Sequence, residues 1–361
     1  MEEALNSTIH PTCLQEPPLA IDIIKQLDVF GVALYSMLTL MSTLSLLLYL
    51  EECVFIYRKV PSPKKTTIMW VNGAAPVIAT MACFGMWIPR ATMFTDMTSN
   101  SYFAVVVYKV LIMLIEESGG SETFLKRNYK KTFKISTGPC CCCCPCLPRI
   151  PVTRRMLFLL KLGALQYAIL KTLLSILSII LWTNGNFDIS DSEITNTASW
   201  INPFIGVLTI ISLWSVAIMF MNTCNTLRSV RIIPKYAMYQ LVLVLSQLQT
   251  AIINVLALDG TIACSPPFSS RARGTMLSQQ LMIVEMFIIT LVTRALYRRT
   301  YDPLPSDPHE TDNDQNTNIS LQAQYSGSML LRDCGGVNRE RECFVCVYSI
   351  DATLYNVELD M

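Results

Sequence analysis

Six of the chain's 14 cysteines lie in one stretch, Gly138-Pro139-Cys140-Cys141-Cys142-Cys143-Cys144-Pro145-Cys146, which follows a basic segment and precedes an apolar one. Thiols can ligate zinc, pair as disulfides or carry acyl chains. Five consecutive cysteines do not form an ordinary Cys-x-x-Cys knuckle, because adjacent side chains diverge and tetrahedral ligation needs spacing; a subset could still hold zinc. In a reducing compartment disulfides are disfavoured. Reversible S-acylation of Cys140, Cys141, Cys142, Cys143, Cys144 and Cys146 suits juxtamembrane cysteines beside Lys and Arg, each buried acyl CH₂ adding about 0.8 kcal/mol of membrane affinity. Unmodified apolar thiols are the plain alternative. Acylated, the loop would press against the inner leaflet, with its acyl chains lining a lipid-facing groove.

Lys109, Lys171 and Glu285 are ionisable residues well inside apolar stretches. A charge at the centre of a bilayer costs several kcal/mol unless it is paired or faces water. Two readings stand. In one, these residues line a polar path whose lysine receives an anionic substrate; in the other, a buried Lys to Glu pair only fixes helix packing. Gln166, Tyr167, Gln240, Gln247, Gln249 and Asn254 add uncharged polar groups, which also serve as interhelical glue. Both histidines, His10 and His309, lie in the polar tails, and no Asp falls deep within an apolar stretch. A His-based metal site or hydrolytic triad within those stretches is therefore excluded. No G-x-x-x-x-G-K-[ST] phosphate loop occurs, so ATP-driven pumping has no engine, and the residues call for no cofactor.

The elements that must position these groups follow from composition. Of 361 residues, 52% are apolar and only 15% charged, where a soluble chain carries about a quarter charged residues. A soluble enzyme and a nucleic-acid binder are excluded. Stretches near Val29 to Leu50, Thr67 to Ile88, Ser99 to Ile115, Met156 to Trp182, Trp200 to Met221, Tyr236 to Leu258 and Met276 to Leu296 are each long enough to cross ~30 Å of hydrocarbon as a helix. The fold class is an all-α membrane protein with seven transmembrane helices. The first stretch starts far from the beginning, lacks a basic region before it and reads as a retained signal anchor. Ala75-Pro76 predicts a kink in the second span.

Charge sets the orientation. One set of flanks holds 18 basic residues: Arg58, Lys59, Lys64, Lys65, Lys126, Arg127, Lys130, Lys131, Lys134, Arg149, Arg154, Arg155, Arg228, Arg231, Lys235, Arg294, Arg298 and Arg299. The other holds 4: Lys25, Arg90, Arg271 and Arg273. The positive-inside rule then places the N-terminus outside and the C-terminus in the cytosol. The expected organisation is an extracellular segment at 1–28, a seven-helix domain at 29–299 with the cytosolic cysteine loop at 138–146, and a cytosolic, largely disordered tail at 300–361. Asn6-Ser7-Thr8 is a glycosylation acceptor on the outer side, or a chance match; Asn318-Ile319-Ser320 falls inside and is silent. Cys13 and Cys264 are the outer cysteines best placed to pair, with two free thiols as the alternative.

Several strings together resemble the organic solute transporter alpha family over roughly residues 30 to 300: Cys83-Phe84-Gly85-Met86-Trp87-Ile88-Pro89-Arg90, the cysteine run, Gln166-Tyr167-Ala168 with Lys171, and Trp200-Ile201-Asn202. Ile262-Ala263-Cys264-Ser265-Pro266-Pro267 with Ser269-Ser270, then Glu285, Thr293-Arg294 and Tyr297-Arg298-Arg299 complete the set. Cys13 followed by Pro17-Pro18 resembles the family's N-terminal segment and favours the Cys13 to Cys264 disulfide. The resemblance implies a seven-span subunit that works with a separate single-span beta subunit at the basolateral plasma membrane, after assembly in the endoplasmic reticulum. It also implies facilitated, bidirectional movement of bile acids, conjugated steroids and related amphipathic anions. Such a solute has an apolar body that tolerates lipid and a charged end that does not. Carried over, Lys171, Glu285, Gln166 and Tyr167 line the path, and the cysteine run takes the acyl chains. Lys109 stands where the family leads one to expect an apolar residue.

A heptahelical receptor is the rival architecture. Against it, the third span ends in Ile115-Glu116-Glu117-Ser118-Gly119-Gly120 without a D-R-Y signature, and the seventh lacks N-P-x-x-Y. A lipid-modifying enzyme lacks a nucleophile and base that could pair within the spans. Fold analogy alone does not decide function.

Overall fold

A computed structural model of the chain describes residues 20–133, 150–184, 198–224, 226–227, 232–263 and 269–301. Within them the chain forms seven helical stretches long and apolar enough to cross a membrane. Helix α1, Ala20–Gln26, precedes the first of these and was not anticipated in the N-terminal segment. The spans themselves are α2 (Val29–Lys59), α3 and α4 (Ser62–Asn72 and Ala74–Trp87), α5 (Thr92–Glu117), α7 (Arg154–Thr183), α8 (Ala198–Thr223), α9 and α10 (Ile232–Val244 and Thr250–Leu258), and α11 (Ser270–Tyr301). Helix α6, Ser121–Arg127, follows α5.

Most spans run past the apolar windows read from sequence, because a helix continues through polar residues that sit beyond the hydrocarbon. Helix α2 has 31 residues, about 46 Å at 1.5 Å per residue. Its extra turns carry Glu51 and Glu52. Likewise α5 begins at Thr92, not Ser99, which places Asp96 inside the third span. Asp96 lies in the opening turns of that helix, not deep within it.

The anticipated kink in the second span is a one-residue interruption at Gly73, three residues before Pro76, with Gly73 N–H still bonded to Met69 O and Val77 N–H to Gly73 O. Pro76 has no N–H to offer the carbonyl four residues earlier, so the ladder opens there. Just before it, Tyr49 Oη and Tyr102 Oη donate to Met69 O and Trp70 O, both at 3.2 Å. A Cβ on residue 73 would run into both hydroxyls, so glycine is what lets three helices meet.

Helix α11 packs against α4, α2, α10 and α9. Helix α5 joins that group to the rest, since it packs against α4 on one side and α7 and α8 on the other. Between α9 and its neighbours α5 and α8 the link is a chain of rings: Phe103 to Tyr239 at 5.8 Å, Tyr239 to Tyr236 at 5.7 Å and Tyr236 to Phe220 at 3.8 Å. The main core is continuous across these helices. Helices α2 and α7 instead leave Met37, Leu40, Leu47, Phe158, Leu159 and Leu173 exposed, the faces that hydrocarbon covers in a membrane. A short antiparallel pair, β1 (Thr132–Phe133) and β2 (Ile150–Pro151), brings together the two ends of the segment that contains the cysteine run.

Candidate solute path

Helix α7 carries Gln166, Tyr167 and Lys171 within two turns. Tyr167 and Ala168 are buried on the same stripe as Ala164 and Ser175, the face that meets α5 and α8. Lys171 falls on this stripe by helical spacing and is half-buried, while Ile169 and Leu173 on either side are exposed. Lys171 therefore stands at the edge of the packed face. Among the described residues no hydrogen bond or ion pair reaches it. Tyr167 has the Thr209 hydroxyl of α8 as its hydrogen-bond partner, which ties the fourth span to the fifth. Gln166 is half-buried one position earlier on the helix.

Glu285 lies fifteen residues after Ser270 on α11, about 22 Å along the helix. Its partner is not a lysine. With its amide nitrogen turned toward the carboxylate, Gln249 donates to Glu285 Oε2 at 2.7 Å and to Oε1 at 3.0 Å. Helix α7 does not pack on α11, so the reading of a buried Lys171 to Glu285 pair is corrected: the two groups stand on helices that face different neighbours. The structure thus brings Gln166, Tyr167 and Lys171 together and sets Glu285 apart.

What surrounds Glu285 is a polar belt joining the third, sixth and seventh spans. Gln279 donates to Asp96 Oδ1 at 2.8 Å, Gln247 to Asn100 Oδ1 at 2.9 Å, and Thr250 Oγ1 lies 3.4 Å from Ser278 Oγ. A π-helical turn, Leu245–Gln249, separates α9 from α10. From this turn Gln247 reaches Asn100 of α5 and Gln249 reaches Glu285 of α11. The glutamines were visible in sequence as polar residues in an apolar window; their partners, and Asp96, were not.

At the opposite end of the bundle the chain concentrates charge. Arg294 and Arg298 of α11 meet Glu51 and Glu52 of α2, with Arg294 Nη2 to Glu51 at 2.6 Å, Arg298 Nη2 to Glu51 at 2.7 Å and Arg298 Nε to Glu52 at 3.1 Å. Lys64 bonds Glu117 at 2.8 Å. Lys109 lies eight residues from the end of α5, within electrostatic reach of Glu116. Lys235 is buried, with its ammonium 4.6 Å from the centre of the Tyr297 ring. Only the basic members of this group stood out in the sequence, as topogenic charge; that they are held by carboxylates on other helices needed the fold. Cys140 to Cys144, Cys146, Cys13, Cys264 and Asn6 lie outside the described residues, as does the tail after 301.

A family profile described as Organic solute transporter Ostalpha matches residues 34–304, which takes in all seven spans. The chain belongs to the organic solute transporter alpha family. It is 66% identical to the organic solute transporter subunit alpha of Danio rerio over 84% of this chain and 94% of that protein. It is 41% identical to the same subunit of Leucoraja erinaceus, over 81% of this chain and 84% of the other, and 37% identical to that of Homo sapiens, over 81% and 87%. No solved structure matches. Membership of the Ostalpha family makes the chain a multi-pass membrane transporter.

Proposed function

We propose that the chain is the alpha subunit of a facilitated, bidirectional transporter of bile acids, conjugated steroids and related amphipathic organic anions, active with a single-span beta subunit at the basolateral plasma membrane. The observation that carries this reading is the 66% identity over 94% of a protein named organic solute transporter subunit alpha. Lys171 supports it physically. An ammonium with no hydrogen bond or ion pair among the described residues, on a half-buried residue of a packed face, is costly for a purely structural helix and a natural receiver for the charged end of an amphipathic solute. The apolar body of such a solute can stay in hydrocarbon, so the protein need shelter only the head group. Gln166 and Tyr167 border the same stretch of α7, and Glu285 belongs to the path as a second polar station.

The same reading places the N-terminus outside and the tail in the cytosol, with glycosylation at Asn6, a disulfide between Cys13 and Cys264, and acylation of Cys140 to Cys144 and Cys146 against the inner leaflet. Passage through the endoplasmic reticulum during assembly follows from it. Membrane lipids are partners in a direct sense, since they cover α2 and α7.

Radiolabelled taurocholate or estrone sulfate flux, in cells lacking an endogenous carrier, tests the proposal with and without a beta subunit. Flux is expected only with both chains, in either direction down the gradient, and unchanged by ATP depletion. Vesicles bearing both chains that pass these solutes no faster than empty ones would overturn it.

A further inference from the structure

The geometry points to a docking surface for anionic phospholipid headgroups, built by α6, the β1 and β2 pair and the first turn of α7. It goes beyond the solute path and rests on the orientation proposed above, which puts this side in the cytosol.

Lys126, Arg127, Lys130, Lys131, Arg154 and Arg155 are all exposed, and Glu122 is the one carboxylate among the described residues between 121 and 155. Arg154 holds it at 2.6 Å, and among the described residues no carboxylate bonds the other five cations. Lys130 stands 5.7 Å from the centre of the Tyr129 ring, which is itself 74% exposed. To set sidedness, these residues need only be present in the loop. The fold does more, because it gathers two basic groups, separated in sequence by the cysteine run, onto one unit. Phe133 of β1 packs on Phe124 of α6 at 5.8 Å, β2 pairs with β1, and Val152 N–H bonds Lys131 O at 3.1 Å. Lys161 Nζ donates to Ser121 Oγ at 3.0 Å and ties α7 to the start of α6. Six cations held around one carboxylate repel one another, so the surface favours whatever brings negative charge to it.

Their height along the spans selects the partner. Phe158 and Leu159 of α7, each 63% exposed, belong to the face that hydrocarbon covers. Arg155 precedes Leu159 by four residues, about 6 Å along the helix. The cations thus stand within a Debye length, about 8 Å at physiological salt, of the level where acyl chains begin. That is the level of the headgroups. An exposed Tyr129 among lysines fits the same layer, where an amphipathic ring has one apolar and one wet side. A soluble acidic partner would have to share this position with the bilayer surface. Clustered Lys and Arg immediately cytosolic of a span attract acidic lipids, and a lipid with more headgroup charge is attracted more strongly.

The test uses the full chain in nanodiscs made of equal parts phosphatidylcholine, phosphatidylserine and phosphatidylinositol bisphosphate, with the lipids that the chain retains counted by native mass spectrometry. Wild type should retain the bisphosphate most and phosphatidylcholine least. Lys126→Gln, Arg127→Gln, Lys130→Gln and Lys131→Gln should each lower the retained ratio of anionic to zwitterionic lipid about fivefold, and the four together should erase the preference. Lys126→Arg, Arg127→Lys, Lys130→Arg and Lys131→Arg combined should preserve it, since headgroup attraction follows charge. Lys25→Gln with Arg271→Gln, exposed at the other end of the spans, should leave it intact. A preference that survives the fourfold Gln variant, or that falls as far in the Lys25 and Arg271 variant, overturns the surface. So does soluble inositol trisphosphate that binds the chain in phosphatidylcholine nanodiscs as tightly as the lipid, because the cations would then serve a free phosphate. Nanodiscs offer the same lipids to both sides, so orientation is read apart from binding. Lipid preference in a chain whose C-terminal tail is reached by antibody on intact cells keeps the surface and removes the orientation. A wild type without preference, its tail inside, does the reverse.

Discussion

Lys171 and Glu285 are both ionisable residues in apolar helices, yet the structure gives them different circumstances. Glu285 has its amide partner on the neighbouring span; Lys171 has no hydrogen bond or ion pair among the described residues and stands at the edge of a packed face. That contrast separates a group already satisfied from one kept for something else. Replacing Lys171 by Leu removes no hydrogen bond or ion pair among the described residues, so surface expression should stay close to wild type while anion flux falls severalfold. Surface biotinylation alongside taurocholate uptake reads the two separately, and parallel losses would return Lys171 to a packing role. Sequence alone marked both residues as costly; it could not say which cost the fold had already offset, because partners come from helices distant in the chain.

The sixth span shows how an element distributes polar groups. Positions two apart on a helix point to nearly opposite sides, some 200° around the axis in a regular α-helix, and within the turn at Leu245–Gln249 Gln247 reaches α5 while Gln249 reaches α11. Interhelical hydrogen bonds of this kind in a membrane average about 0.6 kcal/mol and reach about 1.7. Gln249→Leu should therefore lower the stability of the detergent-solubilised chain by about 1 kcal/mol, seen as a small fall in melting temperature. Adding Glu285→Leu should recover part of that loss, since no carboxylate is then stranded. A double variant that melts as the sum of the two singles would show that the bond contributes nothing. The interrupted second span was more legible, because Pro76 removes a donor at a known offset. The exact site of the interruption was not, since it depends on Tyr49 and Tyr102 arriving from two other helices.

For the whole molecule, the asymmetry of basic residues predicts sidedness. An epitope on the C-terminal tail of transfected cells should be reached by antibody only after permeabilisation, and Asn6→Gln should remove a glycosidase-sensitive gel shift. Hydroxylamine-sensitive acyl label should vanish when Cys140 to Cys144 and Cys146 are all replaced by Ser. A tail accessible on intact cells, or a label that persists in the Ser variant, would move the loop away from the inner leaflet. The Arg294 and Arg298 clasp on Glu51 and Glu52 draws the ends of the first and seventh spans together, and α5 connects this half of the bundle to the fourth and fifth spans.

Seven spans, their approximate places and their class were determined by the sequence, because a run of some twenty apolar residues has one stable state in a bilayer whatever its neighbours are. The family resemblance was likewise carried by contiguous strings, Cys83 to Arg90 and Ile262 to Pro267 among them. Only the tertiary structure decided that Glu285 faces Gln249 and not Lys171, that Asp96 belongs to a span, and that the basic residues on either side of the cysteine run share one surface. Hydropathy is additive along one helix and therefore local. Pairing depends on which helices adjoin and how each is rotated, and that is set by all the packed faces at once.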